Sequence, residues 1–226
     1  MEPFDYLLCQ MELEGIRRVP DGLIIPGSPD VDDFPLVLTA RTSNGQHLVC
    51  LDASLPAEIR LQLSKHELAD FNTGKAIEII EKSGLHIKAG YFKTHVFPDG
   101  IEHPNLDLVR CFDGNDPKVI AFGFNGLADK VYAIEDAGRI LSACVSSRQN
   151  TRAAEAWVYT HPDHRRKGYA QQVVGAWAGS LKAEGLIPFY SHAIENAGSA
   201  RLAESLNLVA VFEEVVLEKA TQEDHR

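Results

Sequence analysis

Basic residues are in short supply in this 226-residue chain: 22 Lys and Arg stand against 32 Asp and Glu, for a formal net charge of −10. A protein that holds nucleic-acid backbones needs clustered cations, so this balance argues against general nucleic-acid binding. Apolar runs of membrane-spanning length are missing, which argues against a membrane partner. The opening residues, Met1-Glu2-Pro3-Phe4-Asp5, carry acids where a secretory signal needs cations, so the expected location is the cytoplasm. Cysteine is sparse and scattered: Cys9, Cys50, Cys111 and Cys144 form no CxxC, which is the pattern of thiols in a reducing compartment. His47, His66, His86, His95 and His103 lie singly, none at a helical ligand spacing with acids in register, so no metal is expected. His161 and His164 have HxxH spacing, but Pro162 between them breaks any helix that would present both rings, and a turn is expected. Internal repeats and low-complexity tracts are also missing.

What is present is ordinary globular composition, 45% hydrophobic and 24% charged, in a length that suits one large domain or two small ones. In the first hundred residues a hairpin is expected over Val37–Leu51, centred on Asn44-Gly45, after a loop over 20–35. Ser64-Lys65-His66-Glu67 has capping-box spacing and predicts helix as far as Ser83, split in two at Asn72-Thr73-Gly74. Leu85–Phe97 reads as a strand, with a turn at Pro98-Asp99-Gly100.

From Leu106 the pattern sharpens. Val119–Phe124 is a short apolar run behind the polar patch Asp113–Pro117. Val131–Glu135, Arg139–Val145 and Ala153–Thr160 then alternate as the strands of an antiparallel meander. The last of these puts Glu155, Trp157 and Tyr159 on one face and Ala154, Ala156, Val158 and Thr160 on the other. Ala170, Val173, Val174, Trp177 and Leu181 form one stripe of a helix that Gly185 should close. Ile187–His192 must lie parallel to Ala153–Thr160, because a crossover helix joins the two. Asn196 is placed to cap a second helix carrying Leu202, Ala203 and Leu206 inward. Val209–Glu218 reads as a final strand, and the charged tail Thr221–Arg226 as frayed. Both tryptophans, Trp157 and Trp177, are read as core.

The acidic chain has one local exception, Arg165-Arg166-Lys167, followed by Gly168 and the start of the first of these helices. The first N–H groups of a helix have no partner within it, and its dipole adds about half a positive charge at that end. Cations, a glycine that lets backbone approach closely, and a helix N-terminus together make a phosphate cradle.

These residues resemble the GNAT superfamily of acyl-CoA-dependent N-acyltransferases. Arg165-Arg166-Lys167-Gly168-Tyr169-Ala170 is similar to that family's pyrophosphate-loop signature, Val158–Pro162 to its strand end and proline turn, and Asn196–Ser199 to its pantetheine-side helix. The likeness covers about 106–218. It implies an α/β (α+β) fold: a mixed, mostly antiparallel sheet with a splayed parallel strand pair, flanked by helices. Residues 1–105 are expected to be an N-terminal α/β region that completes the core or covers the acceptor, and 106–226 the acyltransferase domain.

The resemblance further implies acetyl-CoA, or another acyl-CoA, as cosubstrate. Val158, Tyr159, Thr160, the loop Arg165–Ala170, Asn196 and Ser199 would bind it. The implied activity is acetyl transfer to a primary amine of a small molecule by direct attack in a ternary complex, in a monomer or homodimer. A backbone amide near Val158 would stabilise the oxyanion. Glu155 is the candidate base, against a carboxylate that merely pairs with a neighbouring strand. Many family members carry a tyrosine where this chain has Ala203, which leaves the proton donor to Tyr190, Ser191, His192 or solvent, with Tyr190 the candidate. The alternative is a catalytically silent acyl-CoA sensor or partner-binding module.

Overall fold

Pro3 at the first helical position and a reciprocal Glu2–Asp5 capping box start α1 (Pro3–Leu13), which buries Leu7 and Met11. The computed structural model describes residues 1–19, 22–26, 34–64, 71–99, 107–124 and 126–220. Most of the expected capping box after Ser64, His66, His103, Gly100, the frayed tail and much of the 20–35 loop lie outside the described residues. Contacts divide the chain into two units, Met1–Lys93 with Val211–Arg226, and Thr94–Ala210.

The first unit continues with β1 (Ile16–Arg18), β2 (Leu23–Pro26), β3 (Val37–Thr42) and β4 (His47–Asp52). β3 and β4 form the expected hairpin, Val37↔Leu51 through Arg41↔His47. Its turn is longer than a two-residue Asn-Gly turn. Thr42 N–H donates to the Gln46 carbonyl and Gly45 N–H to that of Thr42, both at 2.9 Å, with Gly45 at φ +85° closing the bend. α2 (Ala57–Leu63), α3 (Thr73–Glu81) and β5 (Ile87–Val96) follow. The Asn72 side chain caps α3 by accepting from Lys75 N–H at 2.9 Å. Leu36, Val37, Leu55, Leu63, Ile80 and Leu217 make this unit's core.

The second unit takes the last residues of β5, then β6 (Val109–Asp113), α4 (Pro117–Phe122), β7 (Lys130–Asp136), β8 (Arg139–Gln149) and β9 (Ala153–Thr160). The apolar run at Val119 is helical because Asp116 accepts from Lys118 N–H at 2.8 Å and Pro117 sits at the first helical position. β6 to β9 form an antiparallel meander, adding β6 to the three strands expected. α5 (Tyr169–Ala183), β10 (Ile187–Ala193) and α6 (Ala197–Ser205) complete it. The strand order is β10-β9-β8-β7-β6.

α5 ends as expected, with Gly185 left-handed at φ +79°. Gly185 N–H donates to the Lys182 carbonyl at 3.0 Å and Leu186 N–H to that of Leu181 at 2.9 Å. Val173, Val174, Trp177 and Leu181 pack with Ile134, Cys144 and Ala154 on one face of this sheet. Val119 and Phe124 pack with Val131, Ala133, Ala143 and Val145 on the other. β11 (Val209–Lys219) carries the chain back to the first unit, where it pairs antiparallel with β3 from Phe212↔Thr42 to Leu217↔Val37.

Candidate functional site

β9 and β10 run parallel, but only Ile187↔Ala153, Pro188↔Ala154 and Phe189↔Glu155 are paired. Beyond Glu155 the two strands part, while β9 stays bound to β8 as far as Thr160↔Ser142. Backbone direction in the gap follows from two bonds. Ile187 N–H takes the Arg152 carbonyl on the β10 side, and His161 N–H takes the Leu141 carbonyl on the β8 side, each at 2.9 Å. Strand groups alternate, so the backbone of Val158 and Thr160 faces the opening. Arg165 Nε already donates to the Thr160 carbonyl at 3.2 Å.

After Thr160 a single 3-10 turn, Pro162–His164, replaces the HxxH that a helix would need. The next residues arrange backbone for an anion. Arg165 is extended, Arg166 is left-handed at φ +61°, and Gly168 is left-handed at φ +77° as the N-cap of α5. Alternation of this kind turns successive N–H groups inward. Because glycine supplies no capping side chain, the first N–H groups of α5 are presented to a ligand. Lys167 Nζ lies 3.4 Å from His164 Nδ1 instead of over the cradle.

The end of β9, this loop, and the N-termini of α5 and α6 enclose a groove of about 830 Å³. Val158, Tyr159, Thr160, Arg165, Arg166, Gly168, Tyr169, Ala170, Asn196 and Ser199 line it, together with Tyr190. Of the residues expected to bind cofactor, Lys167 is the one outside the lining. His164, Gln171, Arg201 and Ser205 also line it and were not anticipated. Projecting the first turns of both helices would have found Gln171 and Arg201. Asn196 caps α6 as expected, its Oδ1 accepting from Ser199 N–H at 3.0 Å. Gln171 Nε2 donates to the Ser205 carbonyl at 3.4 Å, tying the two helices at the groove. Arg165, Arg166 and Arg201 make its mouth cationic in an otherwise acidic chain.

Tyr190 is 2% exposed, and burial pushes its hydroxyl up from 10.0 to about 12, against a hydrogen bond with Ser199 that pulls the other way. The phenol therefore stays protonated at neutral pH and can give up a proton but not take one. A raised folded-state value favours the fold below pH 10, and that contribution is lost as pH climbs towards 12. The loss is worth about 2–3 kcal/mol. About half of it falls by pH 11, so in urea titrations at pH 8 and pH 11 Tyr190→Phe should show an alkaline loss smaller by about 1–1.5 kcal/mol than the wild-type chain.

Glu155 is buried where β9 and β10 part, outside the groove lining, and its Oε2 accepts from Arg148 Nη1 at 3.0 Å. A register shift between Ser146 and Arg148 sets Arg148 directly opposite Glu155. Trp177 is core, 1% exposed, but Trp157 is not: it is 44% exposed and stacks on Phe124. The core reading of Trp157 is corrected, because the Glu155–Trp157–Tyr159 face of β9 is covered only in part. Cys9, Cys50, Cys111 and Cys144 are free thiols. Among the described residues no helix is long and apolar enough to cross a membrane.

A parallel pair that splays beside two helix N-termini, with cations between, defines an α/β fold with one groove lined by strand backbone, arginines and helix N-termini. Residues 130–214 match the family model of GNAT acetyltransferases. A solved GNAT-family protein from Novosphingobium aromaticivorans is 19% identical, over 61% of this chain and 69% of that one, with a TM-score of 0.51, and it shares the fold. A GCN5-related N-acetyltransferase-like protein from Streptococcus suis is 16% identical over 66% and 69% of the two chains, with a TM-score of 0.49. A GNAT-family acetyltransferase from Colwellia psychrerythraea is 12% identical over 91% and 80%, also at 0.49. No curated protein matches the chain.

Proposed function

We propose that this protein transfers an acetyl group from acetyl-CoA to a primary amine of a small molecule, by direct attack within a ternary complex. The observation that carries the reading is the single groove joining the open edge of β9, the Arg165–Ala170 loop and the N-terminus of α6. The residues suit the cosubstrate. The α5 amides, Gly168 and Arg166 offer an anion seat for the pyrophosphate, and the backbone of Val158 and Thr160 offers strand-like hydrogen bonds for the pantetheine amides.

In this reading the amine nitrogen attacks the acyl carbon, a carbon–nitrogen bond forms, and the carbon–sulfur bond breaks. The proton lost by nitrogen ends on the departing thiolate, so no further reactant is needed. An alkyl amine is about one part in a thousand neutral at pH 7, a cost of about 4 kcal/mol that a base offsets. Glu155 is the proposed base, at the point where the strands part, with Arg148 fixing the position of its carboxylate. Tyr190, protonated and lining the groove, is the proposed donor to sulfur.

Two observations favour a second reading, a silent acyl-CoA sensor. Position 203 is a buried alanine where many family members have tyrosine, and Glu155 is engaged by Arg148. Calorimetric titration with acetyl-CoA tests what the readings share: no binding at hundreds of micromolar would sink both. Thiol release from acetyl-CoA across a panel of primary amines separates them. Turnover supports the transferase, and binding without turnover supports the sensor.

A further inference from the structure

The geometry points to an acceptor site for a monoamine carried on an aromatic ring, built on the outward face of β9 from Trp157 and Tyr159. The inference rests on the acyl-transfer reading and names its substrate class. The cosubstrate groove draws its helical walls from α5 and α6, against the face of β9 that carries Val158. An amine reaching the opening between β9 and β10 must therefore come over the opposite face. Alternation puts Glu155, Trp157 and Tyr159 there in a row, from the point where the strands part to the groove that Tyr159 itself lines.

Rings on that row are left open where a chain ordinarily hides them, with Trp157 44% and Tyr159 39% exposed. They are also held rigidly from behind. Phe124 stacks on Trp157 with centroids 5.1 Å apart and planes at 19°. Phe122 lies 5.6 Å from Tyr159 and 5.1 Å from Phe124. Phe124 covers one face of the indole while Trp157 as a whole stays 44% exposed, so an incoming ring can stack on its remaining surface.

Charge decides between amine classes. The carboxylate of this row, Glu155, is already neutralised by Arg148, and the Arg165 guanidinium lies 6.0 Å from the Tyr159 ring centroid. A polycation would find no open acid on this row, because Arg148 is paired with Glu155. A monoamine with a ring gains stacking and brings a single positive charge, which is lost when it is acylated. Aromatic pairing beyond simple burial corresponds to about two- to tenfold in affinity.

The test is calorimetric titration of the CoA-saturated protein with 2-phenylethylamine and with n-hexylamine, two monoamines that differ in the ring. The expected result is about two- to tenfold tighter binding of the aromatic amine. Trp157→Ala should abolish that preference and Trp157→Phe should keep most of it, both with unchanged affinity for CoA. Equal affinity for the two amines, or a preference that survives Trp157→Ala in a protein whose circular dichroism is unchanged, overturns the assignment. If CoA itself does not bind, the acyl-transfer reading has failed instead. The same titrations without CoA then decide whether the ring platform exists.

Discussion

Replacing Gly168 by glutamate is expected to weaken acetyl-CoA binding by about thirtyfold or more while the second unit remains folded. Gly168 has φ +77°, a backbone conformation that costs a residue with a Cβ about 1–2 kcal/mol. The added Cβ meets only the end of the flexible Gln171 side chain, at 3.4 Å, so the cost is conformational more than steric. The glutamate carboxylate then stands where a pyrophosphate would sit. Like charges about 4 Å apart repel by about 1 kcal/mol in water and about 4 kcal/mol at a protein surface. The two effects together give about thirtyfold at the low end and well over a thousandfold at the high end, by the tenfold change that each 1.4 kcal/mol makes. Gly168→Ala carries the conformational part alone and should weaken binding by about tenfold. Titration calorimetry measures both variants, and thermal melts confirm that they are folded. Near-native affinity for Gly168→Glu would show that the loop is not the anion seat.

Trp177→Ala should be the most damaging single change to the fold around the site, costing about 3–5 kcal/mol. Trp177 is 1% exposed on the inner stripe of α5, edge-on to Phe97 with ring centroids 6.1 Å apart. Its Nε1–H donates to Ser146 Oγ at 3.1 Å, and Ser146 Oγ in turn donates to Gln149 Oε1 at 2.9 Å. Truncation removes the ring and this hydrogen bond together. Since whole domains are stable by only about 5–15 kcal/mol, the groove that depends on the N-terminus of α5 should be lost with it. Trp177→Phe keeps most of the packing and loses mainly the bond, so about 1–2 kcal/mol is expected. Urea titration distinguishes the two. A loss below about 1 kcal/mol for Trp177→Ala would mean that α5 is held chiefly by its other contacts.

Several parts of the site were readable residue by residue because the signals are local. The 3.6-residue stripe of α5, its Gly185 stop, the Asn196 cap and the cation-glycine loop each lie within a few positions of what they control. The parallel course of β10 also followed, since a helix between adjacent strands permits it and a tight turn does not. The short helices of the first unit were less legible. α2 spans seven residues and begins at Pro56 with no side-chain cap, so it offers neither a long stripe nor a start signal. Val119–Phe124 was ambiguous for the same reason, since six apolar-rich residues fit either period until Asp116 is seen to cap them.

The sequence by itself determined the α/β class, the meander leading into a basic loop, and most but not all of the residues that line the groove, because spacing and capping are properties of neighbouring positions. Tertiary structure decided what depends on distant partners. It opened β9 from β10 beyond Glu155, and through a register shift in β8 it set Arg148 against that carboxylate. It also left Trp157 exposed on Phe124 while burying Trp177. Alternation along a strand states which face a side chain takes; only the packing of other elements on that face states whether it is covered.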